Sequence, residues 1–442
     1  MKPDTAMVNA FVPGAVDLSP EEQAIVERRQ RLLGPAYRLM YEHPVELVRG
    51  EGVWLYDRNG EAYLDVYNNV ASVGHCHPHV VSSMARQAGI LSTNTRYMQE
   101  GILDYAEKLL GTFPEALSHI MFTCTGSEAN DLAIRIANAY TGGTGFIVTE
   151  TAYHGITQAV SRISPSLGAH VDLGIDVRTV PAPDSYRSAS GDVAAKFRSD
   201  IEAAIADMRR HGIRPSALIV DTIFSSDGVM SEQPGFLKGA AEAIRAAGGL
   251  FIADEVQPGF GRTGDTMWGF QRHGIVPDMV TLGKPMGNGY PVAGVVMKPE
   301  VVAEFGAKAR YFNTFGGNTV AIATAMAVLE VIEKEGLQEN ARVVGGYFRE
   351  QLEAVAKRHE AIGDVRSAGL FLGVEIVSDR AAKTADAKAT SRIVNGMRQA
   401  RILISGTGPR ANVLKVRPPL VFTKSNVDYF IERFDDVLSG LA

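Results

Sequence analysis

Cysteine is scarce in this chain: Cys76 and Cys124 are the only two among 442 residues. Two thiols cannot build a disulfide framework, so the fold must rest on its core, and a reducing cytoplasm is the expected compartment. Positive charge is not in excess either. Lys and Arg total 44 against 50 Asp and Glu, a net −6, which argues against a nucleic-acid binder while leaving room for a local basic pocket. No apolar run reaches the roughly 18 residues of a spanning helix. The opening MKPDTAMVNAFVPGAVDLSPEE lacks the apolar stretch of a secretory signal, because Pro13, Gly14 and Asp17 interrupt it.

What is present reads as a globular protein. Hydrophobic residues make up 45% and charged residues 21%, which excludes disordered, collagen-like and low-complexity classes. The length predicts two to three domains. No repeat of 20–50 residues is visible. Residues 1–35 read as an N-terminal arm, ending in the charged helical stretch EEQAIVERRQRLL.

From about residue 118 to 300 the texture alternates. Six short apolar runs (HIMFTC, GFIVTE, SALIVD, GLFIAD, DMVTLG and VAGVVM) read as strands buried on both faces. Amphipathic stretches at Ser127–Tyr140, Ala194–His211 and Lys238–Ala247 read as helices between them. Alternating β and α elements predict a mostly parallel sheet covered on both sides. After about residue 335 come a long charged helix (Leu337–His359), a strand-like GLFLGVEIV, a helix near Ala387–Gln399, a strand-like VLKVR and a last helix from Ser425, with Asp428 three residues on. This predicts a smaller α/β domain.

Two residues carry the sharpest chemical signal. Asp254 ends one apolar run, and Lys284 follows another 30 residues later. In α/β sheets ligands bind beyond the carboxyl ends of strands, so both would stand on one rim. A lysine and a carboxylate there fit pyridoxal 5′-phosphate: the lysine forms the Schiff base and the acid keeps the pyridine nitrogen protonated. The rival reading is an ordinary salt bridge or a solvated lysine. The segment TLGKPMGNGYPVAG favours the first, because Pro285, Gly287 and Gly289 hold Lys284 in a tight loop. A desolvated lysine there would have the lowered pKa that imine formation needs.

Other motifs are weaker alone. TGSEAN, Thr125–Asn130, follows a strand and opens a helix, leaving the N–H groups of Gly126 and Ser127 free for a phosphate, or merely capping the helix. Tyr153, after the strand at Gly145–Glu150, could lie on a heteroaromatic ring or pack in the core. Gly259–Gly264 matches G-x-G-x-x-G, the basis for a nicotinamide dehydrogenase, but Glu255–Pro258 separate it from the strand and no helix pattern follows. His75, Cys76, His77 and His79 crowd together, yet alternating residues interrupted by Pro78 point to different sides, so a packed turn is expected and no metal.

In order, YLDVYNN, GHCHP, TGSEAND, AYHG, IADEVQPGFGRTG, TLGKPMGNGYP, TFGGN and VRPPL resemble the class III aminotransferases over roughly residues 35–440. The wording is closest to the branch containing alanine–glyoxylate aminotransferase 2 and the ethanolamine-phosphate and hydroxylysine-phosphate phospho-lyases. The resemblance implies the fold type I architecture of pyridoxal-phosphate transferases, a large domain around a mostly parallel seven-stranded sheet with a smaller α/β domain. It divides the chain into an arm (1–35), an N-terminal part of the small domain (36–75), a large cofactor domain (76–334) and a C-terminal small domain (335–442).

The resemblance also implies roles. Lys284 would carry the cofactor and shuttle a proton, and Asp254 would pair with the ring nitrogen. Val256 would pack behind the ring, Gln257 would approach its oxygen, and Tyr153 would stack on it. Gly126 and Ser127 would hold the phosphate, joined by Thr314 from a neighbouring subunit, which implies a homodimer or a dimer of dimers. Arg417 would clamp a substrate carboxylate, and Tyr67 would line the pocket. The implied activity is amino transfer from an amine or amino acid to pyruvate, glyoxylate or 2-oxoglutarate, with a phospho-lyase acting on a phosphorylated amino alcohol as the alternative. Two positions depart from the family pattern. Ser226 stands where many members have a glutamate, and Thr319 replaces the proline after GGN, which puts the local turn in question.

Overall fold

The computed structural model describes residues 9–188, 191–231 and 233–441. Its central sheet has seven strands in the order His119–Thr123, Ala293–Met297, Met279–Leu282, Leu250–Asp254, Pro215–Asp221, Gly145–Thr149 and Val177–Val180. Ala293–Met297 runs antiparallel to both neighbours; every other pair is parallel. The six apolar runs are six of these strands. Their side chains alternate between two cores: Ile147, Leu218 and Val220 pack in one, and Phe146, Val148 and Ile219 in the other. Both faces are covered, which is why the runs lack polar alternation.

The seventh strand, Val177–Val180, carries no apolar run. It is an edge strand with Arg178 and Thr179 facing partly outward, so its sequence gives no buried-strand pattern. The strand Ile362–Ala368 is hidden for a related reason. It pairs antiparallel with Phe371–Asp379, but it carries Asp364 and Arg366 in its middle. Arg366 is buried because its guanidinium meets Glu375 at 2.7 Å and the carbonyl of Gly228.

Two further sheets complete the chain. Phe371–Asp379 also pairs with Val413–Val416, which pairs with Ser405–Thr407. The other sheet joins Leu47–Glu51, Trp54–Asp57 and Ala62–Asp65 with Ile402–Leu403, so residues from both ends of the chain share one ladder. The helices fall close to the expected positions, at Gly126–Thr141, Val193–Arg210, Lys238–Ala246, Leu337–Ala356 and Ala387–Gln399. The last helix, Lys424–Ser439, starts differently from expectation. Thr423 caps it, in reciprocal hydrogen bonds with Asn426, while Asp428 instead accepts from the Tyr347 hydroxyl at 2.6 Å. Among the described residues no helix is long and apolar enough to cross a membrane.

The long helix Leu337–Ala356 crosses the turn before Phe371 so closely that Gly345 touches the backbone of Gly369. An alanine favours a helix by about 1 kcal/mol over glycine, but overpacking against an immovable backbone costs about 1–3 kcal/mol. Gly345→Ala is therefore expected to lower the melting temperature, while Gly346→Ala, whose Cβ would meet nothing within 4 Å, should leave it unchanged or raise it. Equal shifts in thermal melts of the two variants would refute the close crossing.

Candidate active site

The parallel register brings three strand ends level. Asp221 lies opposite Asp254, and Asp254 opposite Thr281. The chain leaves Met279–Leu282 through Gly283 into the single turn Lys284–Gly287, so Lys284 emerges on the rim that bears Asp254. Both line one cavity of about 260 Å³, together with Gly126, Ser127, Tyr153, Val256 and Gln257.

Asp254 is 3% exposed and tightly held. Its Oδ2 accepts from Asn130 Nδ2 at 3.0 Å and meets His154 Nδ1 at 2.7 Å; its Oδ1 accepts from the Val256 N–H at 3.1 Å. Neither Lys nor Arg lies within ion-pairing distance of it among the described residues. A buried carboxylate with only hydrogen bonds for company favours a positive partner arriving from the cavity. The sequence reading named Asp254 but missed Asn130 and His154 as its supports. Asn130 sits one turn into the helix that opens at Gly126, and nothing in its sequence position marks it as facing a strand end.

Lys284 is half-buried, and its ammonium has neither ion pair nor hydrogen bond among the described residues; it stands 5.9 Å from the Tyr153 ring centroid. Burial, with the nearby Arg417 cation, pushes its pKa below the ordinary lysine value, against the pull of Asp254 and Asp221. A lysine freed of its proton in this way is a nucleophile for a carbonyl carbon.

At the other end of the cavity the helix Gly126–Thr141 presents its first N–H groups, with Thr125 as its cap. Three glycines keep this end open. A Cβ on Gly126 would stand 3.1 Å from Val256, one on Gly283 would stand 3.0 Å from the same side chain, and one on Gly155 would stand 2.8 Å from Ser127 Cα. Backbone N–H groups, a helix dipole and no side chain in the way suit a phosphate. The cavity thus fits pyridoxal phosphate: an anion cradle, an aromatic wall, a buried carboxylate for the ring nitrogen and an unpaired amine for the aldehyde.

Arg417 comes from the second sheet, just after Val413–Val416. Its guanidinium lies 4.6 Å over the Tyr67 ring, and donates to Asn69 Oδ1 at 3.3 Å and to Gln257 Oε1. Gln257 in turn donates to Ser225 Oγ at 2.6 Å, and Ser225 donates to Asp221. Gln257 therefore lines the cavity with its amide turned to Arg417 and Ser225, a chain that sequence reasoning did not anticipate. Ser226 places no carboxylate near Arg417; its carbonyl accepts from Thr407. Thr314 is exposed and does not line this cavity.

The remaining motifs resolve into local structure. Thr319 begins the helix Thr319–Lys334, capped by Asn318, so the missing proline leaves the turn intact. His75, His77 and His79 meet three different carboxylates, Asp65, Glu335 and Glu330. The stretch Gly259–Gly264 is a run of turns with no helix opening from it.

A rim lysine, a buried strand-end carboxylate and a glycine-lined helix N-terminus on this sheet define a pyridoxal-phosphate enzyme of fold type I. Bound there, the cofactor supplies an aldehyde for amines and a ring that withdraws electrons. Residues 38–438 match the family aminotransferase class-III, and the chain belongs to that family as a pyridoxal-phosphate-dependent aminotransferase. It is 40% identical over 430 residues to an alanine–glyoxylate aminotransferase 2-like protein of Drosophila melanogaster, covering 94% of this chain and 87% of that one. It is 39% identical over 428 residues to alanine–glyoxylate aminotransferase 2 homolog 2, mitochondrial, of Arabidopsis thaliana, covering 96% and 88%. Among solved structures, a phospholyase from Arthrobacter in complex with phosphoethanolamine superposes with a TM-score of 0.92 at 41% identity, covering 95% of this chain and 100% of that one.

Because Arg417 helps to depress the Lys284 amine, Arg417→Leu should raise the pH at which apoenzyme captures pyridoxal phosphate at half its maximal rate. A midpoint that stays put or falls, followed by the growth of cofactor absorbance, would mean that burial alone sets the amine.

Proposed function

We propose that this aminotransferase takes its amino group from an amine or amino acid and gives it to a small oxo acid such as pyruvate, glyoxylate or 2-oxoglutarate. The observation that carries this reading is the state of Arg417. It is buried, yet its partners are an amide oxygen from each of Asn69 and Gln257 and the Tyr67 ring, all neutral. A substrate carboxylate supplies the missing charge in a bidentate pair. With the cofactor bound, Lys284 would take the proton from the substrate Cα, and Asp254 would hold positive charge at the ring nitrogen. Gly126 and Ser127 would hold the phosphate, Tyr153 and Val256 would flank the ring, and Gln257 would approach the ring oxygen.

The working unit in this proposal is a homodimer or a dimer of dimers, with Thr314 completing the phosphate site of the neighbouring subunit. Exposed Phe315, 68% accessible, and Met98 support a covering partner there. The cytoplasm is the proposed compartment, supported by the two free cysteines, although the Arabidopsis relative is named mitochondrial. The proposed division is an arm (1–35, of which 1–8 lie outside the described residues), a large cofactor domain (76–334) and a small domain from 36–75 and 335–442.

A second reading, elimination of phosphate from a phosphorylated amino alcohol, is favoured by one observation. The Arthrobacter relative was solved with phosphoethanolamine, and among the described residues no carboxylate pairs with Arg417, which leaves its charge for a substrate anion. Holoenzyme mixed with alanine and no acceptor should lose the visible absorbance of lysine-bound cofactor and regain it on adding pyruvate. Lys284→Ala, which has no lysine-bound cofactor absorbance to follow, should form pyruvate from alanine, measured as product, more slowly by at least about 10²–10⁴-fold. Free phosphate from phosphoethanolamine without any oxo acid, and no conversion by alanine or other amines, would select elimination instead.

A further inference from the structure

The hydrogen bonds that link Arg417 to Asp221 all run one way. A guanidinium has only donors, so the end of the Gln257 amide that meets Arg417 is the oxygen. The amide nitrogen therefore faces Ser225 and donates to its Oγ at 2.6 Å. A hydroxyl that accepts there has its own hydrogen left to give, and Ser225 gives it to Asp221 Oδ2. With a cation at one end and a carboxylate at the other, no second arrangement of the chain satisfies its members. The chain uses one of the two Gln257 side-chain N–H bonds. The other has no acceptor among the described residues, and Gln257 lines the cavity.

The turn after Pro215–Asp221 fixes Ser225 in this place. Phe224, buried, sits in the left-handed region at φ 51°, an unfavourable conformation for a bulky side chain. The bend brings the Ser225 N–H back to Asp221 Oδ2 at 3.3 Å, and the Ser225 carbonyl accepts from Thr407 at 3.2 Å. Asp221 also accepts from the Ile223 N–H at 3.0 Å. The charged groups around it are the carboxylates Asp254, Asp227 and Glu255 and the cations Lys284 and Lys415. Desolvation pushes the Asp221 pKa up, and the bond from the Ser225 hydroxyl is the largest effect opposing it.

We propose that Ser225 and Asp221 are positioning residues that hold the Gln257 amide as a donor to the ring oxygen of bound pyridoxal phosphate. The proposal rests on the reading that Gln257 approaches that oxygen, and it holds for amino transfer and for elimination. An amide without a fixed partner could turn its own oxygen toward the ring oxygen, acceptor against acceptor. A fixed donor instead favours the form of the lysine-bound cofactor that has lost its proton, because that form carries more negative charge on the ring oxygen. Ser225 and Asp221 act on this through Gln257.

The test follows the visible absorbance of holoenzyme as the pH is raised. Ser225→Ala should move the midpoint of the change upward by about 0.5–1 pH unit, the size of one hydrogen bond. Ser225→Thr, which keeps the hydroxyl, should titrate near the wild-type midpoint. If Ser225→Ala does not fold, Ser225→Cys, whose thiol is a weak donor and acceptor, should show a smaller rise and decides in its place. Asp221→Asn removes a nearby charge as well as the end of the chain. Its shift should therefore differ by about 0.3 pH unit or more between the wild-type and Ser225→Ala backgrounds, and equal shifts would remove Asp221 from the proposal. A Ser225→Ala protein that melts lower but titrates at the wild-type midpoint, while Gln257→Glu moves it, would make Ser225 structural and overturn the proposal. So would a Ser225→Thr midpoint displaced as far as that of Ser225→Ala. If Gln257→Glu, which keeps the shape and removes the N–H donors, also leaves the midpoint in place, the reading that Gln257 meets the ring oxygen falls first.

Discussion

The buried carboxylate of Asp254 is the constraint around which the site is arranged. A carboxylate in a parallel sheet's interior is costly unless it is fully hydrogen-bonded. Here three elements meet that need: the helix from Gly126 through Asn130, the loop after Gly145–Thr149 through His154, and the turn after the strand itself through Val256. Each of these three also forms a wall of the cavity. The requirements of one charge thus fix where the helix N-terminus, the aromatic wall and the ring-backing valine stand relative to each other.

Close packing does the rest. Gly126 and Gly283 face each other around Val256, and a Cβ at either position would crowd it at 3.0–3.1 Å. The lysine-bearing turn and the phosphate-facing turn therefore approach as backbone against side chain. That keeps the cavity clear of side chains at the end where the helix N–H groups lie. The cost is a lysine without a partner, and burial weakens its hold on a proton. A nucleophilic amine is the chemical product of that desolvation.

The proposed substrate side would draw on different parts of the chain. Arg417 follows a strand of a sheet near the C-terminus, and Tyr67 and Asn69 follow a strand near the N-terminus. The ladder of Leu64 and Asp65 with Ile402 and Leu403 ties these distant segments together. Arg262, buried in the turns after the Asp254 strand, donates to the carbonyls of Leu370 and Pro418 and so anchors the second sheet to the first. The geometry of cofactor and substrate ends is coupled through such backbone contacts.

Much of this was legible from residue order. Apolar runs without alternation mark strands buried on both faces, so six of seven central strands and the rim positions of Asp254 and Lys284 followed from local pattern. The turn at Gly126 and the glycines around Lys284 were legible because backbone conformation is a short-range property. The edge strand Val177–Val180 and the strand holding Arg366 were not, since their polar residues are tolerated only through partners far along the chain. The same reason hides the supports of Asp254 and the chain from Arg417 through Gln257 and Ser225 to Asp221. A sequence states which charges exist. Which of them are desolvated, paired or left without a partner is decided only when tertiary contacts exclude water and set the distances between groups.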